Sequence, residues 1–166
     1  YGPKNVAELK QALAQNPDSA ALMYNLGVSL VAERNLDEAE KAFKEALAIE
    51  PEIAEAYVQL GGLAMNRGDL DRCLEMNQKA TELRPRFAVP WGNIGFVYMQ
   101  RQDPDQAIKA LRRALSLDPQ FIQASSPALT TIEDDGLFFR THPSDSREGR
   151  VMAEVVRERG FDNVAV

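Results

Sequence analysis

Apolar residues fall at helical spacing in short runs, and the runs recur at a fixed interval. One helix is predicted through Asn25-Leu26-Gly27 to Ala32, followed by a turn at Arg34-Asn35. A second helix opens at Asp37-Glu38-Ala39 and carries Phe43, Ala46, Leu47 and Ile49 at helical spacing. Pro51 ends it, because proline has no N–H to donate and disfavours α geometry in the residue before it. The pattern returns with a turn at Arg67-Gly68-Asp69, and again with a turn at Gln102-Asp103-Pro104. There Asp103 is the expected N-cap and Pro104 the expected first helical residue.

The interval is 34 residues: Pro17, Pro51, Pro85 and Pro119 stand one period apart, as do Ala12, Ala46, Ala80 and Ala114. Gly27, Gly61 and Gly95 keep the same step, preceded by Leu26, Leu60 and Ile94. A fixed period of this length signals stacked two-helix units. Glycine in mid-helix costs about 1 kcal/mol against alanine, a cost that makes sense if the second helix of each unit must approach closely. The small column expected opposite is Ala39, Cys73 and Ala107, which makes Cys73 a core residue in an alanine slot.

These columns closely resemble the tetratricopeptide repeat family. The first copy of its signature is Met23, Leu26-Gly27, Leu30, Ala39, Phe43, Ala46 and Pro51. The second is Tyr57, Leu60-Gly61, Ala64, Cys73, Asn77, Ala80 and Pro85; the third is Trp91, Ile94-Gly95, Tyr98, Ala107, Leu111, Ala114 and Pro119. Asn77 departs from the pattern, since an apolar residue is expected there, and marks a locally polar packing site. Residues 5–17 match only the second half of a unit, through Leu9, Ala12 and Pro17. The resemblance implies an all-α superhelix: a half repeat at 5–17, full repeats at 20–53, 54–87 and 88–121, and together a solenoid over 1–124. The half unit and the non-Met start at Tyr1 suggest an excerpt or a processed product.

The resemblance also implies a concave face lined by the first helix, A, of each unit. The positions that meet ligands in the family fall here on Ala21, Tyr24, Asn25, Val28, Val31 and Ala32. In the second unit they fall on Glu55, Val58, Gln59, Gly62, Met65 and Asn66, and in the third on Val89, Gly92, Asn93, Phe96, Met99 and Gln100. The resulting candidate site is Tyr24, Asn25, Val28, Val31, Val58, Gln59, Met65, Asn93, Phe96 and Met99. It is strongly apolar, and part of it is also readable as core between repeats. Asn25, Gln59 and Asn93 form an amide ladder that can both donate to and accept from a peptide backbone. The carboxylate-clamp subclass, which uses Lys, Arg and Asn, is rejected, because Tyr24, Val28, Gln59, Val89 and Asn93 occupy the clamp places and supply no cation.

Composition narrows the chemistry. The chain of 166 residues carries 19 Lys+Arg against 25 Asp+Glu, a net charge of −6 without a basic arm, which argues against nucleic acid as a partner. Residues 1–121 hold 14 positive and 17 negative groups, and 122–166 hold 5 and 8, so the acidic excess is spread evenly. One cysteine and one histidine, His142, exclude a disulfide framework and a Cys- or His-cluster metal site. No apolar run of about 18 residues predicts a membrane span, and no signal peptide is legible. The compartment is left open: a soluble chain is expected, cytoplasm is favoured, and a processed exported form is the alternative. Phosphate-loop, HExxH and nucleophile-elbow motifs are absent, so neither catalysis nor a cofactor is expected.

After residue 124 the period stops, leaving an irregular segment and a final helix near 145–159 over residues 125–166. Asp145 and Glu148 read as a capping box, Val151, Met152, Val155 and Val156 as an apolar face, and Gly160 as a stop. Asp134-Asp135-Gly136 reads as a turn rather than an acid pair, and His142 as structural. Leu129, Ile132, Leu137, Phe138 and Phe139 need burial, in the chain's own groove, under the final helix and over Leu111, Leu115 and Leu117, or against a partner. The leading expectation is a non-enzymatic scaffold that binds an apolar peptide or amphipathic helix. The alternatives are the targeting or regulatory portion of a larger enzyme, and an assembly module forming a homo-oligomer through its repeat ends.

Overall fold

A computed structural model of the chain describes residues 5–119. The segment and helix expected over 125–166, with Phe138, Phe139 and His142, lie outside the described residues. Those described form seven α-helices: α1 (Val6–Gln15), α2 (Ala20–Ala32), α3 (Leu36–Ile49), α4 (Ala54–Asn66), α5 (Leu70–Leu83), α6 (Ala88–Gln100) and α7 (Pro104–Leu117). The fold is all-α, of the repeat class expected, and each proline column falls just past a helix end. The chain divides into two compact units between Arg84 and Pro85.

In the first unit α2 pairs with α3 and α4 with α5, while α1 packs on α2 and α3 on α4. Leu9, Leu26, Leu30, Ala39, Phe43, Leu60, Leu63 and Met76 are buried in one cluster. Phe43 is wholly buried, a gain of about 2–3 kcal/mol from apolar area alone. In the second unit α6 pairs with α7, and Met99, Ala107, Leu111, Ala114 and Leu115 form the core.

The glycine columns close these pairs. A Cβ placed on Gly27 would sit 2.5–2.8 Å from the Phe43 ring, and one on Gly95 would sit 2.6 Å from Leu111. On Gly61 it would collide with the Asn77 amide. The facing column is therefore Phe43, Asn77 and Leu111, one turn beyond the Ala39, Cys73 and Ala107 expected. From that earlier turn, the carbonyls of Cys73 and Ala107 each come to 3.4 Å of the added atom. Asn77 is wholly buried, and its amide donates to the Cys73 carbonyl at 2.8 Å. A short polar side chain thus fills the aromatic slot without leaving its donor bare.

Within each repeat the turn has one geometry. Arg34, Gly68 and Gln102, one period apart, have φ of 60°, 76° and 58°. Asn35 N–H donates to the Leu30 carbonyl and Arg34 N–H to that of Val31, with the same pair of bonds from Asp69 and Gly68 and from Asp103 and Gln102. This is the Schellman closure of a helix C-terminus. Asp69 and Asp103 then cap α5 and α7 by accepting from the N–H of Arg72 at 3.0 Å and of Gln106 at 3.2 Å.

Candidate functional site

The A helices of the three repeats are α2, α4 and α6, and the second helices, B, that pair with them are α3, α5 and α7. α3, α5 and α7 have one apolar and one charged face, whereas α2 and α6 are apolar nearly all round. A helix of the latter type has apolar surface left after one side is packed. On α2, Tyr24, Val28 and Val31 are half-buried and pack against the Phe43 core, while Asn25 is exposed. The Tyr24 and Phe43 rings lie 5.7 Å apart, tilted by 52°.

On α4, Val58, Gln59 and Met65 are half-buried. The face between Val58 and Met65 is open at Gly62, where an added Cβ meets no heavy atom within 4 Å. Adjacent glycines thus have opposite surroundings: Gly61 is sealed against Asn77 and Gly62 is free. A hydrogen bond joins Tyr24 to Gln59 and ties α2 to α4. Burial raises the Tyr24 pKa, the Gln59 bond works against that rise, and the Glu55 carboxylate adds to it. The hydroxyl is therefore a neutral hydrogen-bonding group at neutral pH.

On α6, Phe96 is half-buried against the second unit's core. Asn93 and Met99 are buried, at 8% and 6% exposure, so both are packed more deeply than the α2 and α4 positions. Of the amide ladder, Asn25 is exposed, Gln59 holds Tyr24, and Asn93 is buried.

Little in the described residues is poised for covalent or metal chemistry. Burial pushes the Cys73 thiol up to about 11, against the Asn77 hydrogen bond and with a further rise from Asp69, so it stays a protonated core group. No group of three or more His, Cys, Asp or Glu among the described residues could hold a metal ion. No helix among them is long and apolar enough to cross a membrane.

Sequence reasoning missed a charged cluster on α3. The Glu40 carboxylate accepts from Lys44 at 2.7 Å, from Arg72 at 2.8 Å and from Arg67, while Arg67 also reaches Asp37 at 2.7 Å. These contacts hold Glu40 down at about 2, the Lys44 bond first and the Arg67 bond next. They join residues of neighbouring repeats that no single motif contains.

Three descriptions of the tetratricopeptide repeat match the chain, over residues 6–52, 30–92 and 88–121. No curated protein sequence matches it. Among solved structures, a crystal structure of MamA protein is 21% identical, covers 97% of this chain and 86% of that chain, and has a TM-score of 0.65. A second crystal structure of MamA is 22% identical over 94% of this chain and 89% of that one, with a TM-score of 0.64. A MamA RS-1 ArsTM double mutant is 18% identical over 95% and 85%, with a TM-score of 0.65. At such identities the likeness is one of fold.

Proposed function

The chain belongs to the tetratricopeptide repeat family, and from that premise we propose that it is a non-catalytic scaffold gripping an apolar peptide or amphipathic helix along the A helices α2 and α4 of its first unit. The family is an interaction-scaffold type, which supplies the general role. The observation that carries the finer reading is the open α4 face: Gly62 leaves room between half-buried Val58 and Met65. A partner's apolar side chain entering that space removes apolar surface on both sides from water. At about 25 cal/mol per Å², a few hundred Å² gives several kcal/mol before ordering costs, consistent with micromolar binding. Met65 is an adaptable contact for varied apolar shapes, and exposed Asn25 supplies a backbone partner on α2.

The test is selection from a peptide library on the immobilised chain, followed by Met65→Glu. Enriched peptides should carry apolar residues at helical or alternating spacing. The variant should bind them at least tenfold more weakly while its helical circular dichroism is unchanged. Enrichment of purely polar or charged peptides, or a folded variant that binds equally well, would remove this reading.

A further inference from the structure

A second surface lies on the outer face of α7, and an equivalent of it on α3 stands in the same repeat register. A shallow groove in the first repeat is lined by Asp37, Glu40, Lys41, Lys44, Glu45 and Ala48. Two periods further on, the equivalent residues are Asp105, Ile108, Lys109, Arg112, Arg113 and Ser116, and these line a groove in the third repeat together with Trp91.

The two grooves share a position and differ in chemistry. In the first, Glu40 is engaged by Lys44, Arg67 and Arg72, so its charge is met from within the chain. In the third, Ile108 replaces that carboxylate, Trp91 joins the wall, and Lys109 and Arg113 stand with the carboxylate of Asp105. Lys109 and Arg113 are exposed and make no ion pair among the described residues. Trp91 and Ile108 are half-buried, and the indole N–H donates to the Pro85 carbonyl at 3.2 Å, which fixes the ring at the groove.

We propose that this groove docks an acidic amphipathic segment of a partner protein, its carboxylates on Lys109 and Arg113 and one apolar side chain between Trp91 and Ile108. The local positive charge stands out in a chain of net charge −6. That net charge repels an extended polyanion such as nucleic acid, while a short acidic segment within a Debye length of about 8–10 Å senses mainly the local cations. The apolar wall suits a side chain better than a phosphate, and a rigid aromatic beside guanidinium groups is a good peptide anchor. None of these residues belongs to the apolar A-helix site, so the two proposals stand or fall separately.

Trp91 is the only tryptophan of the chain, so its fluorescence comes from a residue that lines this groove, and the double variant at Lys109 and Arg113 assigns a shift to it. The full chain is titrated with a synthetic peptide of about 12 residues that combines Glu pairs with Leu and Phe. Its Trp91 emission should shift saturably, and the affinity should fall several-fold as salt rises from roughly 50 to 300 mM. Lys109→Glu combined with Arg113→Glu should weaken binding at least tenfold with circular dichroism unchanged, and should gain affinity for the same peptide with Lys in place of Glu. The proposal is overturned by an absent shift, by an equal response of the native chain to the Lys peptide, or by unaltered binding to the folded double variant. It is equally overturned if single-stranded DNA or phosphatidylserine vesicles produce the stronger response. An emission shift driven by protein concentration alone would assign the groove to a second copy of the chain and contradict the proposal.

Discussion

At the scale of single residues, each repeat is closed by one glycine and the side chain that fills the space above it. Phe43, Asn77 and Leu111 are chemically unlike, yet each occupies the room that a missing Cβ leaves. The glycine column and its packing role were legible from the 34-residue period. The partner was misplaced by one turn, because a periodic pattern does not fix which turn of the facing helix comes nearest. Gly27→Ala is therefore expected to destabilise the chain by about 1–3 kcal/mol through overpacking on Phe43, despite alanine's better helix propensity. Asn77→Leu, which installs the third repeat's solution in the second, should cost less than Gly27→Ala, since leucine refills the slot and the amide's bonds to Cys73 go with the amide. Chemical denaturation of both variants checks this; a Gly27→Ala chain as stable as the parent would contradict the packing described.

At the scale of elements, the helix ends at Gln15, Ile49, Leu83 and Leu117 each fall two residues before a proline of the 34-residue column, whereas α2 starts at Ala20, ahead of the Asn25 from which the pattern is legible. Capping by Asp103 and the Pro104 start of α7 were readable because both act on adjacent backbone. The left-handed turn residue was harder to see. Glycine marks it only at Gly68, while Arg34 and Gln102 take the same conformation at the equivalent positions. A non-glycine residue there meets steric cost from its Cβ, which glycine avoids. Gln102→Gly should therefore raise stability, by up to about 1 kcal/mol, and Gly68→Ala should lower it by about 1 kcal/mol. Thermal melts moving in opposite directions are the expected result, and shifts of the same sign would speak against a shared turn geometry.

At the scale of the whole molecule, the repeat architecture was legible from the 34-residue period, but the ionic joint between the first two repeats was not. The Glu40 bonds to Arg67 and Arg72 span 27 and 32 residues, and nothing local in the sequence pairs them. The folded-state Glu40 pKa lies at about 2 against an ordinary 4.5, so its contribution is complete above 4.5 and is lost as pH falls toward 2. Discounting for its partly exposed cationic partners, it should amount to about 1–2 kcal/mol. In Glu40→Gln the loss of stability between pH 5 and 2 should be correspondingly shallower, measured by urea titration at each pH. The scaffold role rests instead on surface that the fold leaves open, where Gly62 stands beside Gly61 but faces away from the packed slot. That contrast supplies the most direct measurement: the affinity of Gly62→Phe for a library-selected apolar peptide, alongside its thermal midpoint. The expected result is binding reduced at least tenfold with the midpoint held or raised, since phenylalanine fills empty space and has better helix propensity than glycine. A stable Gly62→Phe chain that binds the peptide as tightly as the parent would show that the A-helix face is not the binding site.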